Sequence, residues 1–234
     1  MKAMIFAAGR GERLRPLTDA TPKPLLEVGG RALIEHHLQK LRDAGIRDVV
    51  INTAWLAEQF PQRLGDGSRY GLSIVYSYEG HLGLETGGGL LNALPLLGDA
   101  PFLLVNGDVH TDIDFASLPE RPDGLAHLAM VETPAGKPSD FAWADDGKLH
   151  AEPDPGLGKP LTYSGIAVID PKLFAHWREA FAPAECQGRP PAFRLAPLLR
   201  HAMRHGLVDG RLHAGHWADA GTPEALEALR RAAN

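Results

Sequence analysis

Apolar positions recur along this chain in two alternating spacings. Short continuous apolar runs, which read as buried strands, fall at Ala3–Phe6, Val49–Asn52, Leu72–Tyr76 and Pro101–Val105. Between the first two, Leu33, Ile34, His37, Leu38, Leu41 and Ala44 keep helical spacing, and Gly45 ends that helix as a C-terminal cap. Further helices are expected around Trp55–Leu64 and over Leu90–Leu97. Strands alternating with helices imply a parallel sheet with right-handed crossovers. The expected fold class is therefore α/β, with a doubly wound, mostly parallel sheet.

The later half changes character. Leu125–Val131, Phe141–Trp143, Leu149–Glu152 and Leu161–Ile169 read as strands, and Asp145-Asp-Gly147 as a hairpin turn between two of them. Helices are expected over Leu173–Phe181 and Phe193–His205, separated by a loop carrying Pro183, Gly188, Pro190 and Pro191. Thr222-Pro223 has the signature of a helix start, and Glu224–Ala233 continues it. With no repeat or separable linker, these elements are expected to extend the same sheet and build a small substrate-binding lobe over it.

The first strand empties into a loop that carries Gly9 and Gly11, then Arg13, Arg15 and Lys23. Glycines let backbone N–H groups approach phosphate oxygens, and the three cations supply the charge a polyphosphate needs. Two common nucleotide loops fail on detail. The dinucleotide fingerprint lacks its third glycine, and the P-loop lacks its Gly-Lys-Ser/Thr helix start. Pro16, Pro22 and Pro24 forbid a helix at the glycines, so the segment is expected to wrap phosphates as an extended, proline-stiffened arm.

Ligands of such a sheet bind at the carboxyl ends of its strands. Asn106-Gly-Asp108 follows the fourth apolar strand directly, which places Asp108 at that edge, where a carboxylate can hold Mg²⁺ beside substrate phosphates. Asp219, within Trp217-Ala-Asp-Ala-Gly-Thr222, reads as a second metal carboxylate or as a cap for the last helix. The glycines of Glu85-Thr-Gly-Gly-Gly89 suit close approach to a base or sugar, or a flexible tip. His201 and His205 lie one helical turn apart without a third partner, and His36, His37, His213 and His216 are scattered, so zinc is not expected. Cys186 has no evident base, so a thiol nucleophile is not expected either.

Composition narrows the setting. The 234 residues are 44% hydrophobic, enough for one substantial core. A net charge of −5 argues against nucleic-acid partners or a basic membrane contact. A single cysteine permits no internal disulfide and suits a reducing cytoplasm. No leader or membrane span is expected, because Met1-Lys-Ala-Met-Ile-Phe6 runs straight into the glycine loop.

With these residues assembled, the chain resembles the sugar-1-phosphate nucleotidyltransferase superfamily over essentially its full length. Four ordered motifs carry the resemblance: Ala7-Ala-Gly-x-Gly-x-Arg-x-x-Pro-x-Thr18, Pro22-Lys-Pro24, Asn106-Gly-Asp108 and Trp217-x-Asp-x-Gly-Thr222. It implies a Rossmann-like nucleotidyltransferase fold in one domain over residues 1–234. Residues 1–110 would be mainly nucleotide-binding, and residues 111–234 mainly the sugar-binding part and C-terminal helices. It implies attack of a sugar-1-phosphate on the α-phosphorus of an NTP, with pyrophosphate expelled.

Carried onto this sequence, Ala8, Gly9, Gly11 and Gly87 would line the nucleotide, and Gly11-Glu12-Arg13 would wrap the triphosphate. Arg13 would bind the leaving pyrophosphate, Lys23 the α-phosphate, and Asp108 and Asp219 a Mg²⁺ ion. Within the superfamily the chain is most similar to the N-acetylmuramate-1-phosphate uridylyltransferase branch, which serves peptidoglycan recycling. That likeness rests on Met1-Lys-Ala-Met-Ile, Gly65-Asp-Gly-Ser68, Glu85-Thr-Gly-Gly-Gly89 and Asn106-Gly-Asp108, and on the expected absence of the β-helix that some relatives append. It implies UTP as donor, with Asn106, Asp140, Glu152 and Gly165 facing the sugar phosphate. Gly158-Lys-Pro160 lacks the acid that often precedes this lysine in relatives acting on glucose-1-phosphate, so Lys159 receives no role. Mannose-1-phosphate guanylyltransferase, glucose-1-phosphate thymidylyl- or uridylyltransferase, and a regulatory nucleotide-sugar-binding subunit remain as alternatives.

Overall fold

The computed structural model describes residues 1–182 and 190–233; Pro183, Cys186 and Gly188 lie outside them. From the N-terminus, β1 (Lys2–Phe6) leads to α1 (Leu17–Ala20), the antiparallel pair β2 (Glu27–Val28) and β3 (Arg31–Ala32), and α2 (Leu33–Asp43). Next come β4 (Asp48–Thr53), α3 (Gln59–Leu64), β5 (Ser73–Tyr78), α4 (Glu85–Leu97) and β6 (Phe102–Asn106). The later half holds β7 (Val109–Thr111), β8 (Ala126–Val131), β9 (Phe141–Trp143), β10 (Leu149–His150) and β11 (Lys159–Ile169). Then follow α5 (Leu195–Arg204), β12 (Val208–His213), β13 (Trp217–Asp219) and α6 (Pro223–Ala232).

One sheet runs through both halves. Its parallel centre is ordered β5-β4-β1-β6, with Ala3 opposite both Val49 and Leu103. Strand side chains alternate between faces, and the burial follows that alternation. Ala3, Ile5, Val49, Ile51, Leu103 and Val105 join a core with Ile34, Leu38 and Leu41 of α2 and Phe60 and Leu64 of α3. Met4, Val50, Phe102 and Leu104 point the other way, onto Leu90, Ala93 and Leu97 of α4 and Leu198, Leu199 and Ala202 of α5. Helices on both faces are the doubly wound arrangement that the apolar runs predict.

The lobe grows from β11. This strand pairs antiparallel with β6 through Ile166–Ile169, with β8 along its other edge, and with β9 through Lys159–Leu161. The pairing shifts register between Tyr163 and Ala167, where Gly165 takes φ +83°. β12 adds in parallel to β8, and β10 to β9 through the turn at Gly147.

Several expected elements differ, each for a local reason. The stretch after Gly11 is not an extended arm. It coils into short turns at Glu12–Leu14 and Lys23–Leu25, with α1 between: left-handed Gly11 opens the first turn, and Pro16 and Pro22 stand at the starts of α1 and the second turn. The helix expected from Trp55 begins only at Gln59, since Leu56 is left-handed (φ +50°) and the Trp55 indole is drawn to Thr18 O at 2.8 Å. Leu173–Phe181 forms two short 3-10 turns, with Trp177 stacked on Phe193 at 4.5 Å between ring centres. α5 starts at Leu195 because Phe193 O accepts from Gly87 N and Gly88 N. The strand expected over Leu149–Glu152 stops at His150.

A third, smaller core decides where the C-terminus sits. Leu14, Leu26, Val28 and Leu33 from the N-terminal segment bury against Ala220, Leu226 and Leu229. Fully burying one such leucine is worth about 1.5–3 kcal/mol. Thr222 Oγ1 caps α6 by accepting from Ala225 N at 3.3 Å, and Arg230 Nε donates to Glu27 O at 3.0 Å. The packing seats the start of α6 beside the glycine loop.

Candidate active site

The carboxyl ends of β1, β4 and β5 are tied together by one buried polar chain. Ala7 N donates to Asn52 Oδ1 (2.7 Å), Asn52 Nδ2 to Glu79 Oε1 (2.6 Å), and Leu84 N to Glu79 Oε2 (2.8 Å). Burial raises the Glu79 pKa, and the bonds from Asn52 and Leu84 partly offset that rise. The network fixes the floor of a cleft of about 650 Å³. Ala8, Gly9, Gly11, Glu12, Arg13 and Lys23 line it from one side, and Asn106, Asp108 and Gly221 from another. Gly9 has open space where a side chain would go. Gly11 does not: at φ +67° its Cβ would meet Thr18 Cγ2 at 2.8 Å.

Asp108 and Asp219 arrive on adjacent strands. In the β7–β13 ladder Val109 stands opposite Asp219, and Ala220 N donates to Asp108 O at 2.9 Å. Each carboxylate has its own lysine. Lys23 Nζ lies 2.6 Å from Asp108 Oδ2, and Lys137 Nζ lies 2.7 Å from Asp219 Oδ2. Gly221 N donates to Asp219 Oδ1 at 3.0 Å. Burial pushes the Asp219 pKa up, but the bonds from Lys137 and Gly221 and the charges of Lys137 and Lys23 outweigh it, leaving a net lowering. A Cβ on Gly221 would sit 3.3 Å from Arg13 Nη2, so the guanidinium stands close by.

Two adjacent carboxylates with four hard oxygens, one of them held ionised, fit a Mg²⁺ ion that completes its shell with water and phosphate. Among the described residues no group of three or more His, Cys, Asp or Glu could hold a metal. His36 and His216, scattered in sequence, both pack on His110, with ring centres 5.2 and 5.1 Å away.

Not every expected residue comes to the cleft. Arg15 is turned outward, paired with Asp19 at 2.7 Å on the surface. Arg10 lines the cleft instead, lying over the Trp55 ring at 4.4 Å. Gly87 does not face the cleft, for its N–H is taken by Phe193 O and its Cβ would strike the Phe193 ring at 2.5 Å. The glycine triplet lies inside α4 and is small for packing. A Cβ on Gly88 would meet Pro191 O at 2.3 Å, and one on Gly89 would meet Glu79 Oε1 at 2.2 Å.

Of the residues expected at the sugar phosphate, Asn106 and Gly165 come together, a Cβ on Gly165 falling 2.5 Å from Asn106 Nδ2. Asp140 accepts from Tyr163 N at 2.9 Å and Glu152 is exposed beyond β10; neither lines the cleft. Sequence reasoning missed Arg10, Asn52, Glu79 and Lys137. Asn52 and Glu79 were signalled as polar residues ending apolar runs, whereas nothing local marks Lys137.

A nucleotidyl transferase family model matches residues 2–148. The chain belongs to the nucleotidyl transferase family. This family member is 50% identical over 230 residues to the N-acetylmuramate alpha-1-phosphate uridylyltransferase of Neisseria meningitidis serogroup B, covering 95% of this chain and 94% of the relative. It is 34% identical to a Caulobacter vibrioides protein of the same name, covering 95% and 93%. To the Mycobacterium tuberculosis mannose-1-phosphate guanylyltransferase it is 40% identical, covering 95% of this chain and 61% of that protein. Its fold matches a Bacillus anthracis chain described as a glucose-1-phosphate thymidylyltransferase. The TM-score is 0.85, 100% and 95% of the two chains are covered, and the identity is 23%.

Proposed function

We propose that this nucleotidyltransferase transfers uridylyl from UTP to N-acetylmuramate-1-phosphate, giving a UDP-sugar and pyrophosphate in cytoplasmic peptidoglycan recycling. The observation that carries the chemistry is the cleft in which the glycine loop meets Lys23 and Asp108, with Asp219 on the strand paired beside Asp108. The substrate choice rests on relatives of that name matching nearly end to end. A cytoplasmic setting is supported by the single cysteine.

In the reaction an oxygen of the sugar phosphate attacks the α-phosphorus. The bond from that phosphorus to the α,β-bridging oxygen breaks, and its electron pair leaves with pyrophosphate. The nucleophile is already anionic, so no general base is needed. Catalysis then reduces to positioning and charge stabilisation. Backbone around Ala8, Gly9 and Gly11 cradles the nucleotide, and Glu12 and Arg13 flank the triphosphate. Arg13 holds the departing pyrophosphate and Lys23 neutralises the α-phosphate. A Mg²⁺ ion held by Asp108 and Asp219 supplies further positive charge to the phosphates when bound. Asn106, beside Gly165, faces the sugar phosphate.

The test is pyrophosphate release across UTP, dTTP, GTP and CTP against N-acetylmuramate-, N-acetylglucosamine-, glucose- and mannose-1-phosphate. Turnover led by UTP with N-acetylmuramate-1-phosphate supports the proposal. Turnover confined to GTP with mannose-1-phosphate overturns it.

A further inference from the structure

The loop Gly80-His81-Leu82-Gly83 lies between β5 and α4, and His81, Leu82 and Gly83 line the cleft. Both of its ends are fixed. Glu79 N donates to Thr53 O at 2.9 Å, and the buried Leu84 donates its N–H to Glu79 Oε2 at 2.8 Å. Between these anchors Gly80 (φ +79°) and Gly83 (φ +70°) are both left-handed, a conformation that glycine reaches without a steric penalty and from which it turns easily. His81 packs edge-on to the Tyr78 ring, with 6.3 Å between ring centres. Leu82 has no such neighbour. It is 99% exposed, whereas Leu84, two residues on, is buried.

A fully exposed leucine on the rim of a cleft gains free energy from whatever covers it. The distribution of charge says what that is. In strand order the cleft runs from the end of β6, where Asp108 meets Lys23, across β1 and β4 to the end of β5, where Glu79 stands. Phosphates belong with the cation at the first end. At the second, a buried carboxyl and an apolar side chain offer phosphate nothing. The parts of a nucleoside triphosphate left for that end are its base and ribose, and the flat face of a base buries an aliphatic side chain well. We propose that Leu82 covers the nucleoside: the loop turns about Gly80 and Gly83 once the nucleotide is seated and lays Leu82 over the base. This role depends on the nucleotidyl-transfer reading above and adds to it a residue that touches the nucleoside and not the phosphates.

The test compares Leu82→Ala and Leu82→Met with wild type in calorimetric binding of a non-hydrolysable UTP analogue and of inorganic tripolyphosphate, each with Mg²⁺, and in steady-state pyrophosphate release. Leu82→Ala is expected to raise the analogue Kd and the UTP KM about tenfold, while the tripolyphosphate Kd and the sugar-phosphate KM stay within about twofold. Leu82→Met is expected to restore most of the affinity. In wild type, amide hydrogen exchange over residues 80–83 should slow with the UTP analogue and not with tripolyphosphate. An unchanged analogue Kd in Leu82→Ala, a tripolyphosphate Kd that rises equally, or exchange that stays fast with the analogue bound overturns the role of Leu82 alone. Wild type that binds no UTP analogue and is inactive with every donor and acceptor pair overturns the nucleotidyl-transfer reading, and this proposal with it.

Discussion

Lys23 Nζ lies 2.6 Å from Asp108 Oδ2, joining the coiled glycine loop to the end of β6. The pair brings the cation expected at the α-phosphate to a carboxylate expected at the metal. Lys23→Ala and Asp108→Asn should each lower kcat by about 10²–10³-fold, the usual loss when one preorganised charge partner is removed. Because the pair is partly solvated, thermal unfolding should shift only slightly. Both variants turning over near the wild-type rate would remove the pair from the mechanism.

Arg13 and Arg15 should separate cleanly. Arg13 flanks the cleft close to Asp219, whereas Arg15 is engaged with Asp19 on the surface. Arg13→Ala should cost about 10²-fold or more in kcat/KM for UTP. Arg15→Ala should leave kinetics unchanged and cost less than about 0.5 kcal/mol in denaturant unfolding, as exposed pairs do.

Gly88 and Gly9 test two uses of glycine. A methyl at Gly88 would drive into Pro191 O, a backbone atom. Overpacking of that kind costs about 1–3 kcal/mol, against about 1 kcal/mol that alanine gains over glycine inside a helix. Gly88→Ala should therefore destabilise, by up to about 2 kcal/mol in urea unfolding. Gly9→Ala meets nothing within 4 Å, so it should fold normally and instead raise the UTP KM.

His37 is fully buried in α2, and burial pushes its pKa down to about 4 from an ordinary 6.5. Above pH 6.5 it is neutral in both folded and unfolded chains and contributes no pH dependence. Between pH 6.5 and 4 the unfolded chain takes up a proton that the folded one refuses, so stability falls as pH falls, by up to about 3 kcal/mol. His37→Leu should flatten that part of the unfolding free energy against pH. An unchanged slope would show that other groups set the acid limb.

Chelation should silence the enzyme if Asp108 and Asp219 share a metal. EDTA is expected to stop pyrophosphate release and excess Mg²⁺ to restore it. In Asp219→Ala the Mg²⁺ concentration for half-maximal rate should rise at least about tenfold.

The sequence by itself determined what depends on near neighbours. The alternating runs set β1, β4, β5 and β6 as strands of one sheet, with β1, β4 and β6 buried on both faces and β5 at the edge. Gly45 and Thr222 marked a helix end and a helix start, and Asn106-Gly-Asp108 set a carboxylate at a strand end. These signals are legible because strand and helix periods, and caps, act over a few residues. Only the tertiary structure decided that Asp219 stands beside Asp108, that Arg15 turns to Asp19 while Arg10 enters the cleft, and that Gly88 and Gly89 serve packing. It alone brought Lys137 to Asp219. Each of those outcomes depends on where separate strands end and on which core closes over them. Leu14 and Leu26 burying against Leu226 and Leu229 carries the Asp219 carboxylate to the N-terminal loop, and no local pattern encodes that meeting.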